Sequence, residues 1–433
     1  MAKNFVSKLK KYVQDGLLHI FSTNVINKIV SLLTNVVIVR IIPKADYGIF
    51  TYAYNIVTTI MVVSSIGIIP AQLQYGCEIT DEKKRMQVEK TLFLIGLASN
   101  VLFSIGTFIY VTFVPLRVPE SRSLLMILSF LPIPVYLYSV LNTELRIMRR
   151  NRSYARSTNI QTVSYFVFAC LGGFMLSTVG TSIGRYLGYV PAIVFAAIIM
   201  RKSLKEYRKI DGERHIRPYL NYAFWAVMTN AAASLLYHLD VWVVGMVTTD
   251  SNTIASYKVA TQIPTALAII PVSIITYVYP KFVQHRDDPV WLKTRFRKMQ
   301  FYMGCFNAVV AIVLVIFARF IVTLIYGNQY EDATLVFRML MGSFFLSATF
   351  KALYGNVLAM LHKIKANFWI SIVACVVNIV ADWILIMYFG SVGAAIATIT
   401  VVVVESVCTG LYFRHCLKVM KKQRSESDLQ PQQ

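Results

Sequence analysis

The chain has 433 residues, of which 56% are hydrophobic and only 15% charged. A soluble domain carries about a quarter charged residues, so this composition excludes an ordinary water-soluble protein. The formal net charge of +22 fits basic loops lying against anionic lipid head groups; in so apolar a chain it does not argue for nucleic acid.

The N-terminal stretch MAKNFVSKLKKYVQDG is basic and amphipathic, and it leads into a span with no cleavable signal pattern. Apolar runs of about 20 residues, the length that crosses a bilayer core, then follow at roughly 17–41, 47–70, 91–114, 123–143, 158–178, 181–200, 219–247, 254–279, 300–325, 334–357, 367–388 and 393–414. The predicted fold class is therefore an all-α polytopic membrane protein with about 12 transmembrane helices. A β-barrel would instead alternate in segments of about 10 residues. Lys and Arg crowd the N-terminus, the linkers 71–90, 144–157, 201–218, 280–299 and 358–366, and the C-terminal tail. The linkers between these hold only Lys44, Arg117 and Arg122. The positive-inside rule then puts both termini in the cytoplasm. No loop is long enough to carry its own core, and no Walker-type phosphate loop, paired-carboxylate motif or nucleophile–base pair occurs, which argues against an enzyme or an ATP-driven pump. The six cysteines and six histidines are scattered without metal spacing, so no metal and no cofactor is expected.

The two halves echo each other. IFTYAYNI (49–56) aligns with SYKVATQI (256–263), VGTSI (179–183) with VGAAI (392–396), and Met148 with Met360, all at an offset of about 210 residues. Six spans per half give both halves one orientation, a parallel repeat of the kind many transporters use. The predicted organisation is a first lobe over 1–200, a basic cytoplasmic linker over 201–218 acting as a hinge, a second lobe over 219–416, and a polar tail over 417–433.

Charges inside the apolar runs are the candidate functional residues. In the first span, Asn24, Asn27, Lys28, Ser31, Thr34 and Asn35 fall on one helical stripe, with Val25, Ile26, Ile29, Val30, Leu32 and Leu33 opposite. A lysine in mid-span costs about 2.5–3.5 kcal/mol, so Lys28 should face protein or water. Two readings stand: asparagines bonded between helices with Lys28 paired to a carboxylate, or a wet cationic cavity wall. Arg185, Asp240, Lys258, Arg338, Lys351, Asp382 and Glu405 add further charges, and Asn230, Ser234, Tyr237 and Asp240 share a face of the seventh span. Arg185, Arg319 and Arg338 lie near outer ends, where snorkelling also accounts for them. The surplus of cations suits an anionic substrate, and Asp240 is readable as salt-bridge partner, coupling-ion ligand or proton carrier. Asp382 joins it as an ion-coupling candidate.

Four stretches carry a family resemblance. RIIPKADYG (40–48), LDVWVVG (239–245), IASYKVATQIPTALAIIPVSIITYVYPKF (254–282) and VVNIVADWILIMYFGSVGAAIAT (376–398) resemble, in order and spacing, the Wzx-type polysaccharide repeat-unit flippases of the multidrug/oligosaccharidyl-lipid/polysaccharide superfamily. Pro43 replaces that family's glycine, and its proline between the last two spans is missing here. The resemblance implies a non-enzymatic flippase in the bacterial cytoplasmic membrane. Its substrate would be an undecaprenyl-diphosphate-linked oligosaccharide. It would move that substrate by alternating access through a cationic central cavity, coupled to a proton or sodium gradient. Membrane lipids, a polysaccharide polymerase and a chain-length regulator are the implied partners. Substrate contacts are expected from Lys28, Asn24, Asn27, Ser31, Asn35, Lys258, Lys351, Arg185, Arg338, Asn230 and Tyr237, and ion coupling from Asp240 and Asp382. The rivals are a multidrug exporter of the same superfamily and a non-transporting scaffold of a polysaccharide-assembly complex.

Overall fold

The computed structural model describes residues 17–427 except 214, 249, 286, 287 and 362, and within these leaves out the side chains at 17–22, 24, 208, 229, 230, 232–239, 276, 277, 279–281, 283, 284, 359, 364 and 423–427. Asn24, Asn230 and Tyr237, named above as polar lining, lie outside the described side chains. Most of the described residues are helical, and none of them is in a strand. In chain order the helices are α1 (Leu17–Ile41), α2 (Lys44–Ser64), α3 (Ile68–Glu78), α4 (Glu82–Phe113), α5 (Arg122–Leu128), α6 (Pro132–Ile147), α7 (Asn151–Ile199), α8 (Arg201–Lys209) and α9 (Arg217–Thr248). They continue as α10 (Ser251–Leu267), α11 (Ile269–Gln284), α12 (Pro289–Ile316), α13 (Ala318–Tyr326), α14 (Ala333–Leu346), α15 (Ala352–Met360) and α16 (Ile364–Ser427), with a π-helical turn Ser347–Lys351 between α14 and α15.

Among the described residues, eight helical segments are long and apolar enough to cross a membrane. Two of them, Asn151–Ile199 and Lys365–Lys422, far exceed the length of one crossing. Both are folded double. In α7 the helix breaks at Leu176 and Ser177, and Ser177 takes φ 50°. The backbone of Gly172 then lies against Gly180, Gly184 against Phe168 and Ala169, and Gly188 against Tyr165. Those pairs fix two antiparallel arms, 151–175 and 178–199. Gly180, Gly184 and Gly188 recur every fourth residue, the small-residue spacing that lets helix backbones touch where lipid supplies no hydrophobic drive. In α16 the reversal falls at Gly390, with φ 57°, and Gly393 meets the Leu385 backbone. A side chain at Gly390 would be strained in that left-handed conformation.

Close contacts divide the chain into two compact units, Met1–His238 and Leu239–Gln433. The division falls inside α9 rather than in the linker 201–218, and local packing explains it. The first part of α9 belongs to the first unit: Ala223 presses its carbonyl against Gly67, and Tyr219 meets Tyr75 edge-on at 4.6 Å. Linker residues are also tied to α4. Lys90 Nζ donates to the Ile210 carbonyl at 2.5 Å, Thr91 Oγ1 to the Glu213 carbonyl at 3.3 Å, and the Glu213 amide to the Gln87 carbonyl at 3.2 Å. The tail expected over 417–433 begins as helix, because α16 runs on to Ser427.

The first unit packs Ile68, Ala71, Val88, Leu92, Tyr136 and Ala223 into one core; the second packs Leu292, Phe296, Leu353, Val357 and Phe413. The internal repeat is visible in burial. Phe50 and Tyr257, Tyr52 and Val259, Ala53 and Ala260, and the polar pair Asn55 and Gln262 are all buried at matching positions of α2 and α10.

Candidate functional site

The second unit contains a buried carboxylate centre. Asp240 projects from α9, Tyr257 from α10, Asn378 and Asp382 from the first arm of α16, and Thr398 from its second arm. Asn378 and Asp382 are one helical turn apart and share a face. The reversal at Gly390 returns the chain so that Thr398 reaches Asp240. Tyr257 Oη and Thr398 Oγ1 lie 2.9 and 3.0 Å from Asp240 Oδ2, and Asn378 Nδ2 donates to Oδ1 at 3.4 Å. Thr398 Oγ1 also stands 2.9 Å from the Ala394 carbonyl, and its single proton serves one acceptor at a time.

Asp382 is fully buried, within hydrogen-bonding reach of Asp240. Neither of its carboxylate oxygens, nor Asn378 Oδ1, has a hydrogen-bond partner among the described residues. No ion pair reaches Asp240 or Asp382 among those residues. A buried and a half-buried carboxylate with no base beside them among the described residues are a costly arrangement unless a cation joins them. Carboxylate, amide and hydroxyl oxygens are hard donors, suited to a proton or an alkali ion.

Around Arg185 in the first unit the imbalance is the opposite one. Arg185, on the second arm of α7, sits with its guanidinium carbon 3.5 Å from the Tyr54 ring centre, 4.7 Å from Tyr165 and 5.6 Å from Phe50. Its Nε and the Tyr165 hydroxyl are buried without hydrogen-bond partners, and no carboxylate pairs with Arg185 among the described residues. Stacking on aromatic faces contributes about 0.5–2 kcal/mol per ring and leaves the N–H fork available to an anion. Helix α1 packs chiefly along α7. Its polar stripe divides: Thr34 is buried and bonds back to the Val30 carbonyl at 2.7 Å, and Asn27 buries an unpartnered Nδ2. Ser31 and Asn35 are half-buried, and Lys28 is exposed without an ion pair among the described residues.

The remaining candidates are placed differently. Lys351, on the π-helical turn, pairs with Glu405 at 2.7 Å, and Ser371 Oγ donates to the same carboxylate at 3.3 Å. Lys258 is half-buried on α10 and already engaged within the protein. Arg338 is exposed on α14. The structure thus brings Asp240 and Asp382 together and adds Tyr257, Asn378 and Thr398, which sequence reasoning missed. Asn378 was findable, four residues before Asp382 in VVNIVADW. Thr398 was not, because its approach depends on the reversal.

The family model described as polysaccharide biosynthesis protein matches residues 13–285, well over half of the chain. An uncharacterized membrane protein of Methanocaldococcus jannaschii is 21% identical over 405 residues, covering 86% of this chain and 78% of that protein. The probable low-salt glycan biosynthesis flippase Agl15 of Haloferax volcanii is 21% identical over 241 residues, covering 52% of this chain and 48% of its own length. Among solved structures, the lipid II flippase MurJ in an inward closed conformation superposes with a TM-score of 0.75 at 14% identity, over 92% of this chain and 87% of that one. An inward-facing multidrug resistance MATE family transporter of the MOP superfamily gives 0.73 at 14% identity, over 92% and 96%. At that identity these two likenesses carry the fold alone.

Proposed function

Because the chain belongs to the polysaccharide biosynthesis protein family, we propose that it flips a polyprenyl-diphosphate-linked oligosaccharide across the membrane, driven by a cation gradient. One observation carries the reading. Among the described residues, each unit holds buried or half-buried charge with no counter-charge paired to it: Arg185 without an acid in the first, Asp240 and Asp382 without a base in the second. An anionic substrate and a cationic driver supply what each lacks. A diphosphate and its sugars cannot enter hydrocarbon unaided, and a stacked guanidinium offers the planar fork that phosphate oxygens match. Lys28 adds a second cation, and Asn27, Ser31 and Asn35 offer amide and hydroxyl groups to sugars. Lys351, held by Glu405, serves packing in this reading. The carrier is undecaprenyl and the host bacterial, as the family resemblance implies, and the basic linkers lie in the cytoplasm by the positive-inside rule. A multidrug exporter shares the fold, but Arg185 without an acid favours an anion over a cationic drug.

Purified protein in proteoliposomes tests this. Wild type should move a polyprenyl-diphosphate oligosaccharide between leaflets when a sodium or proton gradient is imposed. Arg185→Ala should lose most of that activity at normal abundance. Asp382→Asn should keep slow, gradient-independent movement. In the absence of substrate, sodium but not choline should raise the melting temperature if sodium is the driver, and Asp382→Asn should abolish the rise. Full gradient-driven flipping by both variants would overturn the assignment.

A further inference from the structure

A second acid pair lies in the first unit, apart from both sites above. Glu89 sits two turns into α4 and Glu144 in the last turn of α6, and they are 4% and 2% exposed. Glu89 Oε2 accepts a hydrogen bond from Tyr207 Oη of the linker helix α8. Glu89 Oε1 and both oxygens of Glu144 accept none among the described residues. The carboxyls are within hydrogen-bonding reach of each other, with Arg85 close to both and Gln72 of α3 beside Glu144. Gln72 is itself 4% exposed; its Nε2 donates to the Val140 carbonyl at 3.4 Å, while its Oε1 is unpartnered.

Among the described residues the count is two buried carboxyls against one guanidinium, and that guanidinium also pairs with exposed Glu82 at 3.8 Å. Arg85 is the cation acting on either carboxyl, α3 offers only neutral Gln72, and α8 offers Tyr207. Lys90 is committed to the Ile210 carbonyl. Two carboxylates in contact resist joint ionisation. One shared proton removes the conflict: an O–H···O bond between the two carboxyls leaves one negative charge beside Arg85. A metal ion would balance the charge equally but needs room. A methyl group on Gly76 would come within 2.9 Å of Glu89 Oε1 and would also strike Ile147, so the site is packed closed around the oxygens.

We propose that Glu89 and Glu144 form a proton-binding site in the first unit, read out by the linker through Tyr207. Release sends the shared proton to water, and the pair passes from one negative charge to two. The O–H···O bond between the carboxyls is lost, they part, and Glu89 is drawn away from Tyr207. Among the described residues, the linker then keeps its bonds with Gln87, Lys90 and Thr91.

Infrared difference spectra of the full-length protein in lipid, titrated with pH and without substrate, test the site directly. Wild type should show the C=O stretch of a protonated carboxyl at neutral pH and lose it under alkaline conditions. Glu144→Gln and Glu89→Gln should each lack that component, and Asp240→Asn and Asp382→Asn should retain it. Trypsin cleavage at Lys202, Lys205 and Lys209 reads the linker. Cleavage of wild type should quicken by about tenfold as the proton leaves. Tyr207→Phe should be cleaved quickly at every pH. Glu144→Gln, whose amide donates permanently to Glu89, should stay protected in the same alkaline buffer. Glu144→Asp, which keeps a titratable group, should retain a shifted band and guards against a misfolded amide variant. A carboxyl band unchanged in both glutamine variants, or wild-type cleavage no faster than that of Glu144→Gln at alkaline pH, overturns the proposal. Neither readout uses a substrate, so the outcome is independent of the flippase reading.

Discussion

Removing the Lys351 ammonium should destabilise the second unit far more than its partial exposure suggests. The Lys351 and Glu405 side chains are 26% and 7% exposed and meet at 2.7 Å. At an effective dielectric of about 20, a pair at that distance attracts by about 6 kcal/mol before desolvation is subtracted. Lys351→Ala leaves Glu405 buried with only the Ser371 hydroxyl at 3.3 Å. Stranding one member of a buried pair costs about 3–5 kcal/mol. For a unit of this size that corresponds to a fall in melting temperature on the order of 10 °C. Lys351→Met combined with Glu405→Gln removes both charges and should recover most of the loss, because the cost lies in the unpaired carboxylate. Thermal unfolding in detergent, followed by tryptophan fluorescence for the wild type, Lys351→Met, Glu405→Gln and the double variant, closes the cycle. If Lys351→Ala melts with wild type yet no longer flips substrate, the pair is not structural, and Lys351 is a substrate ligand after all.

Lys28→Arg should retain much of the flipping activity, Lys28→Ala should lose most of it, and Lys28→Glu should fail, all at normal membrane abundance, since exposed Lys28 has no buried partner to strand among the described residues; full surface-polysaccharide output from Lys28→Glu would refute its role. With the six native cysteines replaced, Asp211→Cys should resist an impermeant maleimide applied outside intact cells, and ready labelling would invert the orientation. Gly390→Ala should cost about 1–2 kcal/mol from backbone strain alone, because nothing lies within 4 Å of the added methyl. Gly393→Ala should cost more, because its methyl would strike the Leu385 backbone, and it should also blunt stabilisation by the coupling ion; equal melting of the two variants would count against the hairpin.

Much of this architecture is legible from apolar run length, because the bilayer imposes one dominant length scale on each crossing. The paired spans 158–178 with 181–200, and 367–388 with 393–414, are the arms of α7 and α16, each pair joined by a break of one or two residues. Burial of charge is harder to read. The sequence places Glu89 and Glu144 in basic linkers, just outside spans drawn at 91–114 and 123–143. The helices run past those limits, α4 from Glu82 and α6 to Ile147, so protein rather than solvent encloses both acids. Hydropathy ends a span where charges begin, which is where a charge buried by neighbouring helices goes unseen. Asp240 and Asp382 stand out as acids in oil, but their partnership needs the α16 reversal. Lys351 looks as free as Lys28 in sequence, because Glu405 lies more than fifty residues away along the chain.

The reversal at Gly390 also bears on how the chain is made. Synthesis delivers Asp240 and Tyr257 to the membrane well before the second arm of α16 exists. Until Thr398 emerges, Asp240 lacks one of its two hydroxyl donors, and until Asn378 and Asp382 emerge the centre has neither its amide nor its second acid. An aspartate in mid-helix costs the insertion machinery about 2.5–3.5 kcal/mol, so the seventh span is a reluctant guest until the last hairpin arrives to receive it. Chains interrupted before Gly390 would therefore carry a polar lesion at the heart of the second unit, and membrane proteases would meet them as unfinished. The second arm of α16 is thus the last element to reach a centre begun at Asp240.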